Sequence, residues 1–330
     1  MIVWLQFLAL SAVILVAGTN ISKYGDVIAE KSGLGRTWIG AILIASVTSL
    51  PELITGVSSV TLFNVPNIAV GDVLGSCLFN LLLIALLDTL SPRVPAVTRS
   101  APGHSLVAAF GALLLGIVSF SIVAGPHLPK LGWIDSSTLV VLGVYLLATR
   151  LSFTYERREA KVGMGAAEAI YGQISARRAY VLYAVNALFI IAAATYLPYI
   201  GAEIADMTGL GTAFVGSLFI ALTTSLPEIV VTVSSARLGA IDLAFGNLLG
   251  SNLFNLAILA VDDVFYRQGE LLANVTMSQL TVALAAIAMT AVVIIGLAYR
   301  PLSKRLPLSW DAIGLVVIYA VAIIMLAAMN

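Results

Sequence analysis

The chain has 330 residues, of which 60% are hydrophobic and only 10% are charged. A soluble domain carries about 25% charged residues, so this composition excludes an ordinary water-soluble fold and indicates that much of the surface faces lipid. The formal net charge is zero, which gives no sign of nucleic-acid binding, and a single cysteine, Cys77, excludes an internal disulfide. We therefore predict an all-α membrane protein.

Ten apolar segments follow one another along the chain, and a polar stretch at 151–178 separates the first five from the last five. They lie at 2–18, 37–61, 67–90, 101–124, 133–150, 179–206, 212–236, 241–262, 277–299 and 309–329. A membrane-spanning helix needs about 20 mostly apolar residues, so we expect ten transmembrane helices. No basic region precedes the first segment, which predicts a retained helix and not a cleaved signal peptide.

Lysines and arginines divide unevenly between the two sides of this layout. With the N-terminus outside, 15 of the 17 basic residues fall in inner loops, and only Lys130 and Arg267 lie outside. Basic residues concentrate in the cytoplasmic loops of membrane proteins. The sequence thus predicts a multi-pass protein of the plasma membrane, with both termini outside and residues 151–178 as a cytoplasmic linker.

Two motifs each occur twice in the chain. Residues 44–52 (IASVTSLPE) match 220–228 (IALTTSLPE), and residues 71–80 (GDVLGSCLFN) match 246–255 (GNLLGSNLFN). We call residues 44–80 the first copy and residues 220–255 the second copy. Each copy belongs to a set of five segments, an odd number, so residues 1–150 and 179–330 are predicted to form two inverted five-helix repeats. Inverted repeats are typical of alternating-access transporters, which bind substrate near the bilayer midplane.

Glu52 and Glu228 lie at equivalent positions inside apolar segments. A carboxylate at the bilayer centre costs at least about 2.5 kcal/mol, and such residues generally face a partner or a cavity. No lysine or arginine lies at comparable depth in the ten segments. The missing counter-charge is therefore most simply a bound cation. The alternative is a protonated glutamate that takes part only in helix packing.

The neighbours of the two glutamates suit a hard cation. Hydroxyl groups precede each glutamate, and Pro51 and Pro227 cannot donate a backbone hydrogen bond, so they free carbonyls near Val47 and Thr223. Calcium takes about 6–8 oxygen ligands, which carboxylates, hydroxyls and carbonyls together supply. The alternative for each hydroxyl is a bond back to its own helix.

The second motif places polar residues on one helical face. In the first copy Asp72, Ser76 and Asn80 are four residues apart, and the second copy repeats the spacing in Asn247, Ser251 and Asn255. Residues four apart stack on one side of a helix, so each copy is expected to present a polar stripe to the glutamate helix. Glycines one residue before these positions are expected to allow close helix packing. For the two C-terminal asparagines, an interhelical hydrogen bond is the alternative to ligation.

The doubled pattern of T-S-L-P-E followed by G-(N/D)-x-x-G-S-x-x-x-N resembles the two alpha repeats of the sodium/calcium exchanger family, within the calcium/cation antiporter superfamily. The resemblance covers the whole ten-helix layout and is of the prokaryotic type, which lacks a large regulatory loop. The resemblance implies ion ligands in both copies. They are Ala45, Thr48, Ser49, Glu52, Ser76, Asn80, Ala221, Thr224, Ser225, Glu228, Ser251 and Asn255.

Three positions depart from the family pattern. Many members carry aspartate where this chain has Asn255, and asparagine where this chain has Asp72. The glycine that usually precedes T-S is Val47 in the first copy and Thr223 in the second. The two charge changes leave the counter-ion and the stoichiometry open. Asp72 is expected either to lie along the ion pathway or to act as a carboxylate at a helix N-terminus.

We expect a secondary active antiporter, not an enzyme, that exchanges Ca²⁺ for Na⁺ by alternating access. It would need no cofactor, since Ca²⁺ and Na⁺ or H⁺ bind as substrates, and it would function as a monomer in the lipid bilayer. A proton-coupled antiporter of Ca²⁺ or another divalent cation is the first alternative, and an ion channel is a second. A channel typically uses rings of equivalent subunits, whereas this chain contains its own inverted pair.

Overall fold

The computed structural model describes residues 2–31, 45–91, 93–127, 129–160, 173–304 and 306–329. Its α-helices are α1 (Ile2–Lys31), α2 (Leu50–Thr61), α3 (Pro66–Thr89), α4 (Ala96–Arg99), α5 (His104–Ala124), α6 (Ser136–Ala160), α7 (Ala176–Thr208), α8 (Thr212–Val215), α9 (Ala221–Thr224), α10 (Leu226–Arg237), α11 (Ile241–Phe265), α12 (Ser278–Tyr299) and α13 (Trp310–Ala328). A π-helix at Gly216–Ile220 joins α8 to α9, and 3₁₀ turns lie at Gly125–His127 and Leu272–Asn274. Two short antiparallel strands, β1 (Lys130–Leu131) and β2 (Ile134–Asp135), lead into α6.

Eight of these helices are long and apolar enough to cross a membrane, and the bent run from α8 to α10 makes up to nine among the described residues. The predicted segment 37–61 is described only from residue 45, so its first part lies outside the described residues. The all-helical membrane class is confirmed. One boundary was predicted too short, since α6 continues to Ala160, beyond the predicted segment 133–150.

Helices α3 and α11 form the centre of the bundle. They are apolar around most of their circumference, and most of their residues are buried. The core that they share with α5, α12 and α13 is built mainly from leucine, isoleucine, valine and alanine. A helix that is hydrophobic all round belongs in the interior of a bundle, which explains why these two hold the central position.

Helices α1 and α7 pack against each other beside this bundle and contact both glutamate helices. On α1, Gly18 approaches Pro227 so closely that a Cβ at this glycine would lie 2.3 Å from the proline ring. On α7, the carbonyl of Ala194 accepts a hydrogen bond from Thr55 at 3.5 Å. The α1–α7 pair therefore lies directly against the segments that carry the glutamates.

Two aspartates join the ends of the central helices to the start of more distant helices. Asp88, near the end of α3, accepts from the backbone N–H of Ala96 (2.9 Å) and of Ser309 (2.8 Å). Asp263, near the end of α11, accepts from the backbone N–H of Leu271 (2.7 Å) and of Asp135 (3.0 Å). Each aspartate thus ties its own half of the chain to the beginning of the last helix in the other half. We call Asp88 and Asp263 the paired latches.

Candidate cation site

Both glutamate helices are interrupted at the same place. Ser49 has φ −85° and ψ 13°, and Ser225 has φ −84° and ψ 9°, which breaks the α-helix one residue before α2 and α10 begin. In the second copy the run Thr212–Thr224 bends by 47° against α10. Proline is the second residue of α2 and of α10 and cannot donate to the preceding turn. The break therefore follows from the Leu-Pro-Glu sequence, and it directs the glutamate toward the centre.

The two glutamates have the same hydrogen-bonding environment. Oε1 of Glu52 accepts from Ser76 and from Ser225, each at 3.3 Å. Oε1 of Glu228 accepts from Ser251 at 3.3 Å and from Ser49 at 3.5 Å. Each carboxylate thus uses one serine from its own copy and one from the other copy. Both side chains are completely buried, and the Oε2 atom of each has no hydrogen-bond partner.

Further hydroxyl contacts connect the two copies. Thr48 Oγ1 lies 3.3 Å from Ser251 Oγ, and Thr224 Oγ1 lies 3.4 Å from Ser76 Oγ. Ser225 Oγ is 3.0 Å from Ser76 Oγ. The structure thus brings all six predicted hydroxyl residues and both glutamates into one buried cluster.

The threonine hydroxyls also form hydrogen bonds with carbonyls of their own helix, which was the alternative to binding an ion. Thr48 donates to the carbonyl of Ala45 at 3.1 Å, and Thr224 lies 3.2 Å from the carbonyl of Ala221. The same two carbonyls accept the backbone N–H of Ser49 and of Ser225, each at 3.0 Å. Each alanine carbonyl therefore already accepts two hydrogen bonds, one for each lone pair, so an ion that binds there has to displace one of them.

The two asparagines of the polar stripes differ. Asn80 donates from Nδ2 to Oδ1 of Asn252 at 3.0 Å, so it makes the interhelical bond that was its alternative role. Its own Oδ1 is buried without a partner, and both amide atoms of Asn255 are buried without a partner. Asn255 thus adds an unsatisfied amide to the cluster, and Asn80 adds one unsatisfied oxygen.

Asp72 joins the cluster through a threonine. Its Oδ1 accepts from Thr224 Oγ1 at 2.7 Å, its Oδ2 has no partner, and the side chain is completely buried. Asp72 is the seventh residue of α3, beyond the first turn in which the helix dipole favours a negative charge. The interpretation of Asp72 as a carboxylate at the helix N-terminus is therefore wrong. Its hydrogen bond with Thr224 connects it to the second copy.

The glycines of the second motif serve helix packing, as expected. A Cβ at Gly75 would lie 2.3 Å from the carbonyl oxygen of Ser217 in the π-helix. A Cβ at Gly71 would lie 3.1 Å from the carbonyl oxygen of Ala213 in α8. α3 thus approaches the broken helix of the second copy closely enough for Ser76 and Asp72 to reach Thr224.

The two departures at the family glycine position face away from the cluster. Val47 packs with apolar residues of α1 and α7, and Thr223 Oγ1 lies 3.0 Å from Ser11 Oγ of α1. Both side chains therefore lie against the α1–α7 pair.

Two residues near the cluster were missed by the sequence analysis. Asn252 is not part of the predicted polar stripe of Asn247, Ser251 and Asn255, yet it binds Asn80 and also donates to the carbonyl of Cys77 at 3.2 Å. Asp262 on α11 is completely buried, and neither of its oxygens has a hydrogen-bond partner.

The paired latches were missed as well, although Asp88 and Asp263 are 175 residues apart, the same offset as the second motif. Extending the repeat comparison past Asn255 would have found the latches.

The cluster offers carboxylate, hydroxyl and amide groups in a buried setting. Among the described residues, no lysine or arginine forms a hydrogen bond or ion pair with Glu52, Glu228 or Asp72. Buried carboxylates require compensation by a proton or a cation. The donor set is entirely of the hard-oxygen type that calcium and similar ions prefer.

Known proteins are similar to this chain in sequence and in fold. The family described as sodium/calcium exchanger protein matches residues 2–153 and 178–328. The sodium/calcium exchanger MaX1 of Methanosarcina acetivorans is 25% identical over 354 aligned positions, which cover 97% of each chain. Two solved structures have the same fold. The sodium-calcium exchanger NCX_Mj, soaked with Na⁺ and Sr²⁺, gives a TM-score of 0.62 at 21% identity, covering 98% of this chain and 99% of that one. The H⁺/Ca²⁺ exchanger CAX gives a TM-score of 0.70 at 14% identity, covering 99% of this chain and 85% of that one.

The family match takes in both halves of the chain and includes both glutamate motifs. Members of this family are ion exchangers and not enzymes, which agrees with the prediction from the doubled motif. The chain is therefore a multi-pass membrane antiporter that belongs to the sodium/calcium exchanger family.

Proposed function

We propose that this protein exchanges Ca²⁺ for Na⁺ across the plasma membrane by alternating access. The observation that carries the proposal is the pair of buried glutamates, each with an unpartnered oxygen, held by a hydroxyl network that crosses between the two copies. The proposed ligands are the residues that the family resemblance implies. They are Ala45, Thr48, Ser49, Glu52, Ser76, Asn80, Ala221, Thr224, Ser225, Glu228, Ser251 and Asn255.

Exchange follows from competition for the same negative charge. Glu52 and Glu228 together balance one divalent ion, or they balance monovalent ions in its place. Without either, two uncompensated carboxylates would remain in a low-dielectric interior, a state of high free energy. The protein therefore changes access most readily when one of the ion sets is bound, so movement of one ion depends on the other.

A proton-coupled Ca²⁺ antiporter is the second candidate. The observation that favours it is the charge pattern around the cluster: Asn255 is neutral, whereas Asp72 contributes a carboxylate bonded to Thr224. Carboxylates can take up protons in place of Na⁺, and the hydroxyl network accommodates either form.

Flux into proteoliposomes tests the proposal directly. Ca²⁺ uptake would be measured into vesicles loaded with Na⁺, into vesicles with an acidic interior, and into vesicles with neither gradient. Uptake that requires the outward Na⁺ gradient is the expected result. Uptake driven only by the proton gradient would replace Na⁺ by H⁺ as the coupling ion. Uptake with neither gradient would indicate a channel.

The proposed topology has ten spans in two inverted five-helix repeats, residues 1–150 and 179–330, with the linker 151–178 in the cytoplasm and the protein acting as a monomer. The 15-to-2 division of basic residues supports this orientation. Lys161→Cys in a Cys77→Ala background should not react with an impermeant thiol reagent on intact cells. Gln268→Cys, in an exposed turn on the predicted outer side, provides the labelled control. Strong labelling at position 161 with none at position 268 would reverse the orientation.

A further inference from the structure

Asp262 is a buried carboxylate that the proposed exchange mechanism does not use. It lies on α11, three residues before the helix ends at Phe265, and its side chain is completely buried. Neither of its oxygens has a hydrogen-bond partner. The residue at the same offset in the first half is Leu87, so Asp262 has no counterpart in the first half of the chain.

The carboxylate of Asp262 lies against α2, the helix that carries Glu52. A Cβ at Gly56 would lie 2.3 and 2.6 Å from the two carboxylate oxygens of Asp262, so only glycine leaves room for them. Gly56 is one helical turn after Glu52, a rise of about 6 Å. In the proposed orientation this is the outer side of the cluster, where Asp72 also lies.

The charged groups that act on Asp262 are acidic. α3 contributes Asp72, and α11 itself contributes the neighbouring Asp263, which faces Asp135. From α2 the facing residue is Gly56, with Glu52 one turn away. Among the other helices that pack on α11, α10 carries Glu228, which lies in the cluster, and α6 carries Tyr145, whose ring lies 6.3 Å from that of Phe254. On α5, His104 binds Asp242 at the opposite end of α11 at 2.8 Å.

Nothing among the described groups compensates an ionised Asp262. Arg267, a few residues further along, stacks over Trp133 at 4.0 Å. The C-terminal end of a helix carries a partial negative charge, which disfavours an anion there. A buried carboxylate with acidic neighbours, no hydrogen-bond donor and an unfavourable helix dipole requires neutralisation by a ligand.

The surroundings of Asp262 distinguish between a metal ion and a proton. Calcium takes about 6–8 oxygen ligands, but no serine, threonine or asparagine side chain is bonded to Asp262. A proton needs only one carboxylate oxygen, so it is the ligand that fits.

We propose that Asp262 is a proton-binding site on the outer side of the cation cluster, through which external pH sets the affinity for the transported cation. When the carboxyl O–H bond breaks, the proton passes to the outer aqueous side and a negative charge is added about one turn from Glu52. That charge strengthens cation binding, and reprotonation weakens it. The effect on transport rests on the proposed exchange function, whereas the proton site itself does not.

The test uses Asp262→Asn, with Asp262→Leu as a second variant because leucine occupies the equivalent position in the first half. Asp206→Asn, at an exposed carboxylate on α7, is the matched control. Infrared spectra of the purified wild-type protein at neutral pH should contain a carboxylic-acid C=O band that is lost in both Asp262 variants and retained in the control. A band that persists unchanged in both variants would overturn the proton site, whatever the transport result.

Ca²⁺ uptake under an outward Na⁺ gradient tests the consequence for transport. In the wild type log KM should decrease as external pH rises. The magnitude of this slope should be smaller by up to about one in the Asp262 variants, as expected for the loss of one linked proton, and unchanged in the control. An identical slope in all proteins would overturn the effect on affinity. If wild-type uptake needs no Na⁺ gradient but the infrared band depends on Asp262, the proposed Na⁺ coupling fails and the proton site stands.

Discussion

The two copies of the motif agree around the glutamates and differ along α3 and α11. In both copies the helix breaks at a serine with nearly equal φ and ψ, and the glutamate accepts from one serine of each copy. The identical break and the reciprocal bonds follow from the identical Thr-Ser-Leu-Pro-Glu sequences. The glutamate cluster is therefore nearly symmetric between the two copies.

The central helices break this symmetry with three substitutions. Asp72 faces Thr224, whereas its counterpart Asn247 has no hydrogen-bond partner. Asn252 bonds to the opposite copy, whereas its counterpart is Cys77, and Asp262 stands where the first half has a leucine. Both added carboxylates lie on one side of the glutamates. The comparison suggests that the glutamate cluster sets which ions bind, while α3 and α11 set how tightly they bind from each side.

Removal of either glutamate charge should have the largest effect on transport. We expect Glu52→Gln and Glu228→Gln each to lower Ca²⁺ flux at least about 100-fold, because a close charge pair at an effective dielectric constant near 20 contributes about 4 kcal/mol. The measurement is Ca²⁺ uptake into proteoliposomes at matched protein content. Glu203→Gln, a half-buried glutamate on α7, is the control and should retain activity.

Equal losses in the two glutamine variants would support the equivalence of the copies. Full activity in one variant would show that only the other copy carries the divalent ion, and full activity in both would remove the basis for the proposed cation site.

Replacement of the paired latches, Asp88 and Asp263, tests whether the two halves contribute equally to thermal stability. In each of the variants Asp88→Asn and Asp263→Asn, the new amide N–H₂ faces a backbone N–H. One charge-assisted hydrogen bond, worth about 1.5–3 kcal/mol, is therefore lost. We expect each variant to lower Tm by about 5 °C in a thermal-shift measurement in detergent. Asp206→Asn should leave Tm unchanged.

Each latch has one more partner, since Lys304 donates to Asp88 at 3.2 Å and the Thr138 hydroxyl donates to Asp263 at 2.5 Å. Because the extra partner of Asp88 is charged and that of Asp263 is neutral, a somewhat larger loss is expected in Asp88→Asn than in Asp263→Asn. If neither variant lowers Tm, the latches are not structural ties between the halves.

Asn255→Asp should raise Ca²⁺ affinity by about 10-fold, equivalent to 1.4 kcal/mol, because a negative charge replaces a buried amide that has no partner. The measurement is the Ca²⁺ concentration at half-maximal uptake under a constant Na⁺ gradient. Asn80→Asp is the matched variant in the other copy. Its new carboxylate would face Oδ1 of Asn252, and the bond from Nδ2 would be lost, so no gain is expected. Equal gains in both variants would show that the asymmetry of the two amides has no effect on binding.

Repetition made the cation cluster predictable from the sequence. A glutamate in an apolar segment is a weak signal alone, but Glu52 and Glu228 occur in matching nine-residue motifs with hydroxyls and proline at fixed positions. The helix break also follows locally, because proline removes a donor at a known position. The structure brings these residues together as predicted, and their role as ligands stays a prediction.

Contacts between distant segments were not predictable in the same way. The bond from Asn80 to Asn252 and the contact of Asp262 with Gly56 depend on how α11 crosses α3 and α2, which no local pattern encodes. The length of α6 was also underestimated, because its last turns are polar and lie beyond the apolar run. The sequence therefore predicts residues with matched copies better than it predicts residues that break the match.

Asp72 should have the smallest effect of the four sites, and its replacement tests the asymmetry of α3 and α11 directly. Its carboxylate lies one helical turn from Ser76, about 6 Å along the axis, and reaches the cluster through Thr224 at 2.7 Å. In Asp72→Asn the amide oxygen can still accept from Thr224, so the bond is kept and only the charge is lost. We expect Ca²⁺ affinity to fall by about 3-fold at neutral pH, a difference of about 0.6 kcal/mol. Because only the ionised carboxylate attracts a cation, this difference should disappear at acidic pH.

Asn247→Asp, the mirror variant, should raise affinity by a similar factor, since it adds a charge at the equivalent place. An unchanged affinity and pH profile together with a lower Tm would show that Asp72 serves the packing of α3 and not the ion path.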